Sequence, residues 1–192
     1  AVSSHNRAVT AQSLGYFDSQ IAPVRVPQRK GDDLLITADE HPRADTTLEG
    51  LAKLRPVFKD GGSVTAGNSA GINDAAAAVV VMSRTRAEAY GLTPRLRWVG
   101  RGISGVDPAI MGIGPVPSTK KVLSKTGMKI EDLDLIELNE AFAAQAAYVM
   151  RELGMDPELT NVNGSGISLG HPVGATGAIM TVKLMEELSR RD

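Results

Sequence analysis

The chain has 192 residues, of which 42% are hydrophobic and 22% charged, as is typical of a soluble globular protein. With a formal net charge of -1, the chain is not expected to attract nucleic acid or an anionic membrane electrostatically. No apolar run approaches the ~20 residues of a membrane span. Cysteine is absent, which excludes disulfides, thiolate metal sites and a cysteine nucleophile within these residues. Because the first residues show no targeting segment, we predict a cytoplasmic protein. We also predict that the chain holds no metal site.

Helices and short strands alternate along the first part of the chain. Its apolar pattern predicts a helix over residues 1–16, short strands over 21–26 and 34–37, and one or two helical turns over 47–54. The apolar run over 75–82 is ambiguous between helix and strand by periodicity alone. Because it contains three consecutive valines, which favour strands, we predict a short helix as far as Ala77 and a buried strand over 78–82.

The second part continues the alternation. We predict helices over 84–90, 118–126 and 141–153, strands over 95–104 and 133–138, and a Gly- and Pro-rich loop over 106–117. A last strand, a turn and a helix then follow. Strands that alternate with helices indicate a layered α/β fold with right-handed crossovers.

The stretch from Asn161 to Ala178 is dense in glycine and holds His171 between Gly170 and Pro172. Glycine lets the backbone approach a ligand closely, and proline favours an extended residue before it. A histidine is often a hydrogen-bonded core residue, but these neighbours favour a side chain that is presented to a ligand. Such an imidazole can accept a proton or stabilise an oxyanion. His5 and His41 lack this setting, and we predict both at the surface.

Asn139 lies where the predicted strand over 133–138 gives way to a helix. Asparagine is a common helix cap, and the carboxyl end of a strand is also where α/β sheets place ligands, so both interpretations remain open. The spacing of Gly164, Gly166 and Gly170 resembles a dinucleotide fingerprint. That single match is weak, because His-Pro precedes the helix and no acidic residue follows at a strand end.

Two motifs, Asn139-Glu140-Ala141-Phe142 and Gly170-His171-Pro172, together resemble the thiolase family of acetyl-CoA acetyltransferases. The resemblance covers nearly the whole chain. It includes four further segments, namely Ala52-Lys53-Leu54-Arg55-Pro56, Val64-Thr65-Ala66-Gly67-Asn68, Met111-Gly112-Ile113-Gly114-Pro115 and Asn161-Val162-Asn163-Gly164.

The resemblance implies an α/β thiolase fold, in which two βαβαβαββ halves stack as αβαβα layers and a loop domain helps to bind coenzyme A. It assigns residues 1–72 to the later part of the loop domain and 73–93 to the end of the first core half. Residues 94–192 become the second half without its last strands. The chain is then a fragment of a longer protein, which the resemblance implies is a homodimer or homotetramer.

The resemblance also implies an acyltransferase of fatty acid metabolism, which catalyses reversible Claisen condensation and thiolysis between acetyl-CoA and a 3-ketoacyl-CoA such as acetoacetyl-CoA. In the family, one cysteine forms an acyl-enzyme and a second moves a proton at the carbon nucleophile. His171 matches the histidine that activates the first cysteine and contributes to an oxyanion hole. Asn139 matches the asparagine that positions a water in that hole. Without either cysteine, the chain alone is expected to be inactive.

The resemblance implies coenzyme A thioesters as substrates and no other cofactor. The positions that it assigns to substrate are Arg43 near the nucleotide, Ala66 and Ala70 beside the pantetheine, and Met111, Ala141, Phe142 and Gly170 nearer the reacting end. Slim, apolar pantetheine suits small and apolar walls. The family commonly has serine where Ala70 lies, and often where Gly50 lies, which weakens the prediction of hydrogen bonds there.

A second hypothesis is a non-catalytic fragment or split subunit that retains acyl-CoA binding. A ketoacyl synthase is a further alternative within the superfamily. Those enzymes typically have histidine at the position of Asn139, which favours the thiolase interpretation.

Overall fold

The computed structural model describes all residues, 1–192. Its helices are α1 (Val2–Ser13), α2 (Leu48–Ala52), α3 (Arg84–Ala89), α4 (Pro115–Thr126), α5 (Ala143–Leu153), α6 (Gly166–Leu169) and α7 (Thr176–Arg191), with 3-10 turns at Ala66–Asn68, Pro108–Ile113 and Ile130–Asp132. Strands β1 (Val24–Val26) and β2 (Leu34–Ile36) form an antiparallel pair in which Val24 lies opposite Ile36. None of the helices has the length and apolar character needed to span a lipid bilayer.

The predicted helices other than the one before Ala77 are confirmed, with ends that the local sequence explains. Helix α4 begins at Pro115, where a proline without an N–H costs nothing, and ends at Gly127 in the left-handed conformation with φ 71°. Helix α5 ends in the same way at Gly154, with φ 66°. Helix α3 begins after Ser83, whose side chain accepts a hydrogen bond from the backbone N–H of Arg86.

Three predictions about the middle of the chain are wrong. No helix forms before Ala77, and the segments over 78–82 and 95–104 are not hydrogen-bonded strands. A strand requires a neighbour whose backbone groups complete its ladder, and no other segment of this chain forms backbone ladder hydrogen bonds with these two. Their side chains are correspondingly uncovered, since Val80 is 86% exposed and Trp98 is 75% exposed.

The main core lies between α4, α5 and the segment over 133–138. It consists of five buried residues, Val116, Leu138, Ala146, Val149 and Met155. The segment over 133–138 makes one parallel bridge, between Ile136 and Thr160, in place of the longer strand predicted there. This bridge and the core fix the position of the chain just before Asn139.

Helix α1 packs against α6, and the contact depends on a glycine. Gly164 has φ 79°, and a Cβ built on it would lie 2.7 Å from the Cβ of Ala8 and 2.9 Å from the carbonyl oxygen of Ser4. A side chain at this position would therefore meet both an unfavourable backbone conformation and the body of α1. The close approach brings α1 against the Gly-rich segment that leads to His171.

Candidate active site

The Gly-rich segment over 163–171 folds around the single-turn helix α6, and most of its residues are buried. Ser165 begins α6, and its backbone N–H donates to the hydroxyl of Ser168 at 3.2 Å. Gly170 ends α6 with φ 90°, and a Cβ there would lie 2.6 Å from Cγ of Asn73. The need for a left-handed residue without a side chain explains why glycine precedes His171.

The ring of His171 is held by Thr176, the first residue of α7. Nδ1 of His171 lies 2.8 Å from Oγ1 of Thr176, whose hydroxyl donates to the carbonyl oxygen of Pro172 at 2.8 Å. Because that hydroxyl proton is already used, the oxygen accepts from Nδ1–H of the imidazole. The network therefore assigns an unprotonated Nε2 to neutral His171, which leaves this atom free to accept a proton.

The backbone of His171 is anchored separately from its ring. Its N–H donates to the carbonyl oxygen of Gly71 at 2.9 Å, which joins the Gly-rich segment to the small-residue cluster around Ala70. His171 is half-buried, so the ring is oriented on one side and accessible on the other. This half-buried position agrees with the prediction that Gly170 and Pro172 leave the side chain of His171 accessible to a ligand.

The backbone before Asn139 is clamped by the side chain of Asn161, which has a positive φ of 52°. Its Oδ1 accepts from the N–H of Leu138 at 2.7 Å, and its Nδ2 donates to the carbonyl oxygen of Leu138 at 2.7 Å. The hydroxyl of Ser165 donates to the same carbonyl at 2.9 Å. Two residues of the Gly-rich region therefore fix the backbone on which Asn139 is carried.

Asn139 is not a helix cap, because the N-cap of α5 is Phe142. Its Oδ1 is buried without a hydrogen-bond partner and lies against Gly166, where a Cβ would approach it to 2.6 Å. A buried acceptor without a donor costs free energy, so it commonly marks a place where a bound water or ligand supplies the donor. Asn139 and His171 thus lie at opposite ends of α6, which spans about 6 Å.

A cavity of about 590 Å3 opens beside this segment. Three residues that were predicted to bind substrate line it, namely Arg43, Ala66 and Ala70, and Ile167 of α6 lines it as well. Gly50 also lines the cavity, and because glycine stands where the family often has serine, no side chain fills the cavity at that position. The lining of the cavity therefore includes both an exposed arginine and the Gly-rich segment.

The remaining predicted residues are placed differently. Ala141 and Phe142 lie behind the wall, because the carbonyl oxygen of Ala141 accepts from the N–H of Ala70 at 2.9 Å and Phe142 forms an antiparallel bridge with Ser69. The ring of Phe142 also makes an edge contact with Phe58, with centroids 6.1 Å apart. Met111 lies on a 3-10 turn, is 68% exposed and does not line the cavity.

The prediction that His5 lies at the surface is wrong, and His41, predicted at the surface as well, is half-buried. His5 is only 5% exposed in α1, and its Nδ1 accepts from the backbone N–H of Arg43 at 3.1 Å. Burial and the nearby His41 lower the pKa of His5, with smaller contributions from the N-terminal amine and Arg43. His41 is half-buried, and its Nε2 lies 3.2 Å from the carbonyl oxygen of Ile167. Both histidines line the cavity.

One sequence signal for His41 was available. It is followed by Pro42, just as His171 is followed by Pro172, and its ring contacts the Gly-rich segment to which His171 belongs. His5 carried no such signal, because its burial comes from the packing of α1. Thr176 was also unrecognised, since its role depends on a turn that brings α7 back to the ring of His171.

Two family models divide the chain between them. The model described as thiolase, N-terminal domain, matches residues 1–85, and the model described as thiolase, C-terminal domain, matches residues 92–192. Among curated relatives, Beta-ketothiolase BktB of Cupriavidus necator is 58% identical over 191 residues, which are 99% of this chain and 48% of that relative. An acetyl-CoA acetyltransferase of Pseudomonas aeruginosa is 53% identical over 192 residues, 100% of this chain and 49% of that relative.

Solved structures give the same result. The acetyl-CoA acetyltransferase of Bacillus anthracis superposes with a TM-score of 0.95 at 52% identity, over 98% of this chain and 48% of that one. Human mitochondrial 3-ketoacyl-CoA thiolase, solved in complex with CoA, superposes with a TM-score of 0.89 at 44% identity, over 99% of this chain and 47% of that one. The predicted α/β thiolase fold is confirmed over the part that the chain covers. The chain spans about half the length of the relatives it matches, and it belongs to the thiolase family.

Proposed function

We propose that this chain supplies the Asn139–His171 half of the active site of a thiolase, which exchanges acyl groups between acetyl-CoA and a 3-ketoacyl-CoA. The observation that carries the proposal is the placement of these two residues at the two ends of α6. His171 offers an unprotonated Nε2, and Asn139 offers a buried amide oxygen without a partner. These are the two kinds of group that a thiol nucleophile and an oxyanion site require.

The chemistry divides between this chain and a sulfur nucleophile from outside it, because the 192 residues contain no cysteine. In thiolysis the thiol gives its proton to Nε2 of His171 and attacks the β-carbonyl carbon of the 3-ketoacyl-CoA. The bond between the α and β carbons breaks, and its electron pair forms the enolate of acetyl-CoA, which then takes up a proton. The acyl group left on sulfur passes to the thiol of free CoA.

Asn139 and His171 would act where negative charge develops. Preorganised donors at a forming oxyanion commonly make the largest single contribution to catalysis. The unpartnered Oδ1 of Asn139 can accept from a water whose other proton points to the enolate oxygen. His171, once protonated at Nε2, can donate to the same oxygen. The buried backbone on both sides keeps these groups in place before substrate binds.

The cavity suits coenzyme A. The guanidinium of the exposed Arg43 can pair with phosphate at the outer end, and Ala66 and Ala70 leave a slim passage for pantetheine towards α6. The human relative that was solved with CoA has the same fold over this region. Met111, Ala141, Phe142 and Gly170 remain proposed substrate positions. We assign no other cofactor.

We further propose the domain limits 1–72, 73–93 and 94–192. The gap between the two family-model matches, after residue 85 and before residue 92, supports a change of domain close to residue 93.

A homodimeric or homotetrameric enzyme is also proposed, and size-exclusion chromatography with light scattering on the assembled enzyme tests it.

A chimaera gives the sharpest test of the activity. In the Cupriavidus necator Beta-ketothiolase BktB, the matched residues, 48% of its length, are replaced by this chain. We expect the chimaera to cleave acetoacetyl-CoA in the presence of CoA, and the 192-residue chain alone to show no cleavage. In the chimaera, His171→Ala and Asn139→Ala should each lower kcat by about 100-fold or more, as removal of an oxyanion donor does.

Two outcomes would contradict the proposal. A folded chimaera that binds CoA but does not turn over acetoacetyl-CoA would favour a non-catalytic acyl-CoA-binding subunit. Full activity in the Asn139→Ala and His171→Ala chimaeras would show that these residues are not the catalytic pair.

A further inference from the structure

A buried lysine beneath the Gly-rich segment has no part in the chemistry described above. Lys183 lies on the inner face of α7 and is 5% exposed. Its Nζ donates to the carbonyl oxygen of Gly164 at 2.6 Å and to Oε2 of Glu137 at 2.9 Å. A buried ammonium is rare unless it is paired, so these two oxygens are the reason that it is tolerated.

The two partners of Lys183 belong to the two segments that carry the catalytic pair. Glu137 lies two residues before Asn139, and Gly164 begins the segment that leads through α6 to His171. One ammonium group therefore bridges both segments, and Lys183 is not part of the cavity lining. The side chain of Glu137 is 7% exposed, and this burial raises its pKa despite the adjacent lysine. The bridge is thus shielded from water.

A second contact from α7 acts on only one of these segments. Glu187, one turn after Lys183, accepts from Nδ2 of Asn163 at 2.8 Å. Burial alone would raise the pKa of Glu187, but hydrogen bonds from Arg190, Arg191 and Asn163 outweigh it and lower the pKa to about 2. Glu187 therefore holds the Gly-rich segment against α7. Lys183 contacts both segments, and it adds to the direct hydrogen bonds that Asn161 and Ser165 make to the backbone of Leu138.

We propose that Lys183, through Glu137 and the carbonyl of Gly164, is a positioning residue that sets the separation between Asn139 and His171 for acyl transfer. The proposal rests on the proposed function of that pair. A buried ion pair is weak evidence for stability, because its replacement by neutral residues of similar size is often tolerated. Lys183 joins the two segments that carry Asn139 and His171, and the proposal rests on this connection and not on a contribution to stability.

The test compares two double variants of the chimaera. Lys183→Met with Glu137→Gln removes the buried pair without leaving an uncompensated buried charge. Lys120→Met with Glu152→Gln is the matched control, since it removes an exposed pair between α4 and α5 with a 3.3 Å contact. We expect the buried-pair variant to lose about 10- to 100-fold in kcat, because a misplacement of about 1 Å can cost about 100-fold. KM for CoA should change by less than about threefold, and the control should retain its kcat.

A crystal structure of the buried-pair variant provides a readout that does not depend on activity. We expect the distance between Oδ1 of Asn139 and Nε2 of His171 to change by about 1 Å relative to the unsubstituted chimaera. An unchanged distance together with an unchanged kcat would overturn the proposal. If the unsubstituted chimaera is inactive, the proposed function fails, and the same distance still decides whether Lys183 positions the pair.

Discussion

The hydroxyl of Thr176 decides which nitrogen of His171 carries the proton. Its own proton is donated to Pro172, so it can only accept from Nδ1–H. This arrangement leaves Nε2 of the neutral imidazole without a proton, and the ring partner at Nδ1 is a hydroxyl and not a carboxylate. The ring of His171 is therefore oriented by a neutral hydroxyl.

The substitution Thr176→Val should remove this orientation while it preserves the shape of the side chain. We expect kcat of the chimaera to fall by about 10- to 100-fold, in the range of a general-base contribution, because both tautomers become populated. Thr176→Ser retains the hydroxyl and should stay within about threefold of the parent. Steady-state thiolysis kinetics measure both. Equal kcat values for the valine and serine variants would contradict the assigned tautomer.

The pH dependence of stability should report the burial of His5. Burial holds the pKa of His5 in the folded protein below the ordinary histidine value of about 6.5, so the unfolded chain binds the proton more readily. The contribution of His5 to stability is therefore complete above pH 6.5 and is lost as the pH falls through the lower folded pKa. Thermal melting of the chimaera between pH 5 and pH 7 measures this effect. His5→Gln should flatten the profile, and an unaltered slope in that variant would exclude His5 as the titrating group.

At the scale of elements, α1 and α7 enclose the Gly-rich segment from two sides. Helix α1 approaches at Gly164, and α7 holds the same residue through Lys183. The segment itself has only the single-turn helix α6 as regular structure. Its geometry is therefore imposed by neighbouring helices instead of by its own backbone hydrogen bonds.

Gly164→Ala tests this dependence on α1. The alanine meets a φ of 79° and the Cβ of Ala8 at 2.7 Å. We expect a loss of about 2–4 kcal/mol in the free energy of unfolding of the chimaera, from backbone strain together with the clash. Gly154→Ala is the matched control, because it has φ 66° with no atom within 4 Å of its Cβ. Denaturant unfolding measures both. Equal losses would show that strain alone, and not the approach of α1, requires glycine at position 164.

At the scale of the whole molecule, the chain leaves much apolar surface uncovered. Only 25 of its 192 residues are buried, which is few for a chain of this length. Eight of the uncovered large hydrophobic residues lie in the extended segments over 78–82 and 95–104, which form no backbone ladder with another strand. Exposed, unpaired and apolar segments favour association with other chains.

The isolated chain should therefore self-associate. Light scattering should detect species larger than 20.2 kDa that increase with protein concentration. A variant with Val80→Asp and Trp98→Asp should associate less, because charge is placed on both exposed segments. Leu14→Asp, on a separate surface with 58% exposure, is the control and should have little effect. A monodisperse isolated chain that melts cooperatively would contradict this prediction.

The sequence by itself determined the local elements and the identity of the principal pair. Gly127 and Gly154 end their helices because the left-handed conformation favours glycine, and that preference is local. The motifs around Asn139 and His171 were sufficient to indicate the family, which the comparisons confirm. Their catalytic roles remain proposals.

Only the tertiary structure decided which residues surround that pair. Thr176 and Asn161 act through contacts that depend on how separate segments meet, and the burial of His5 results from the packing of α1 on α6. The failed strand predictions have the same origin, since a valine-rich segment becomes a strand only beside a partner. Local preference fixes caps and turns. Hydrogen bonds and burial between distant residues depend on the complete arrangement of the chain in space.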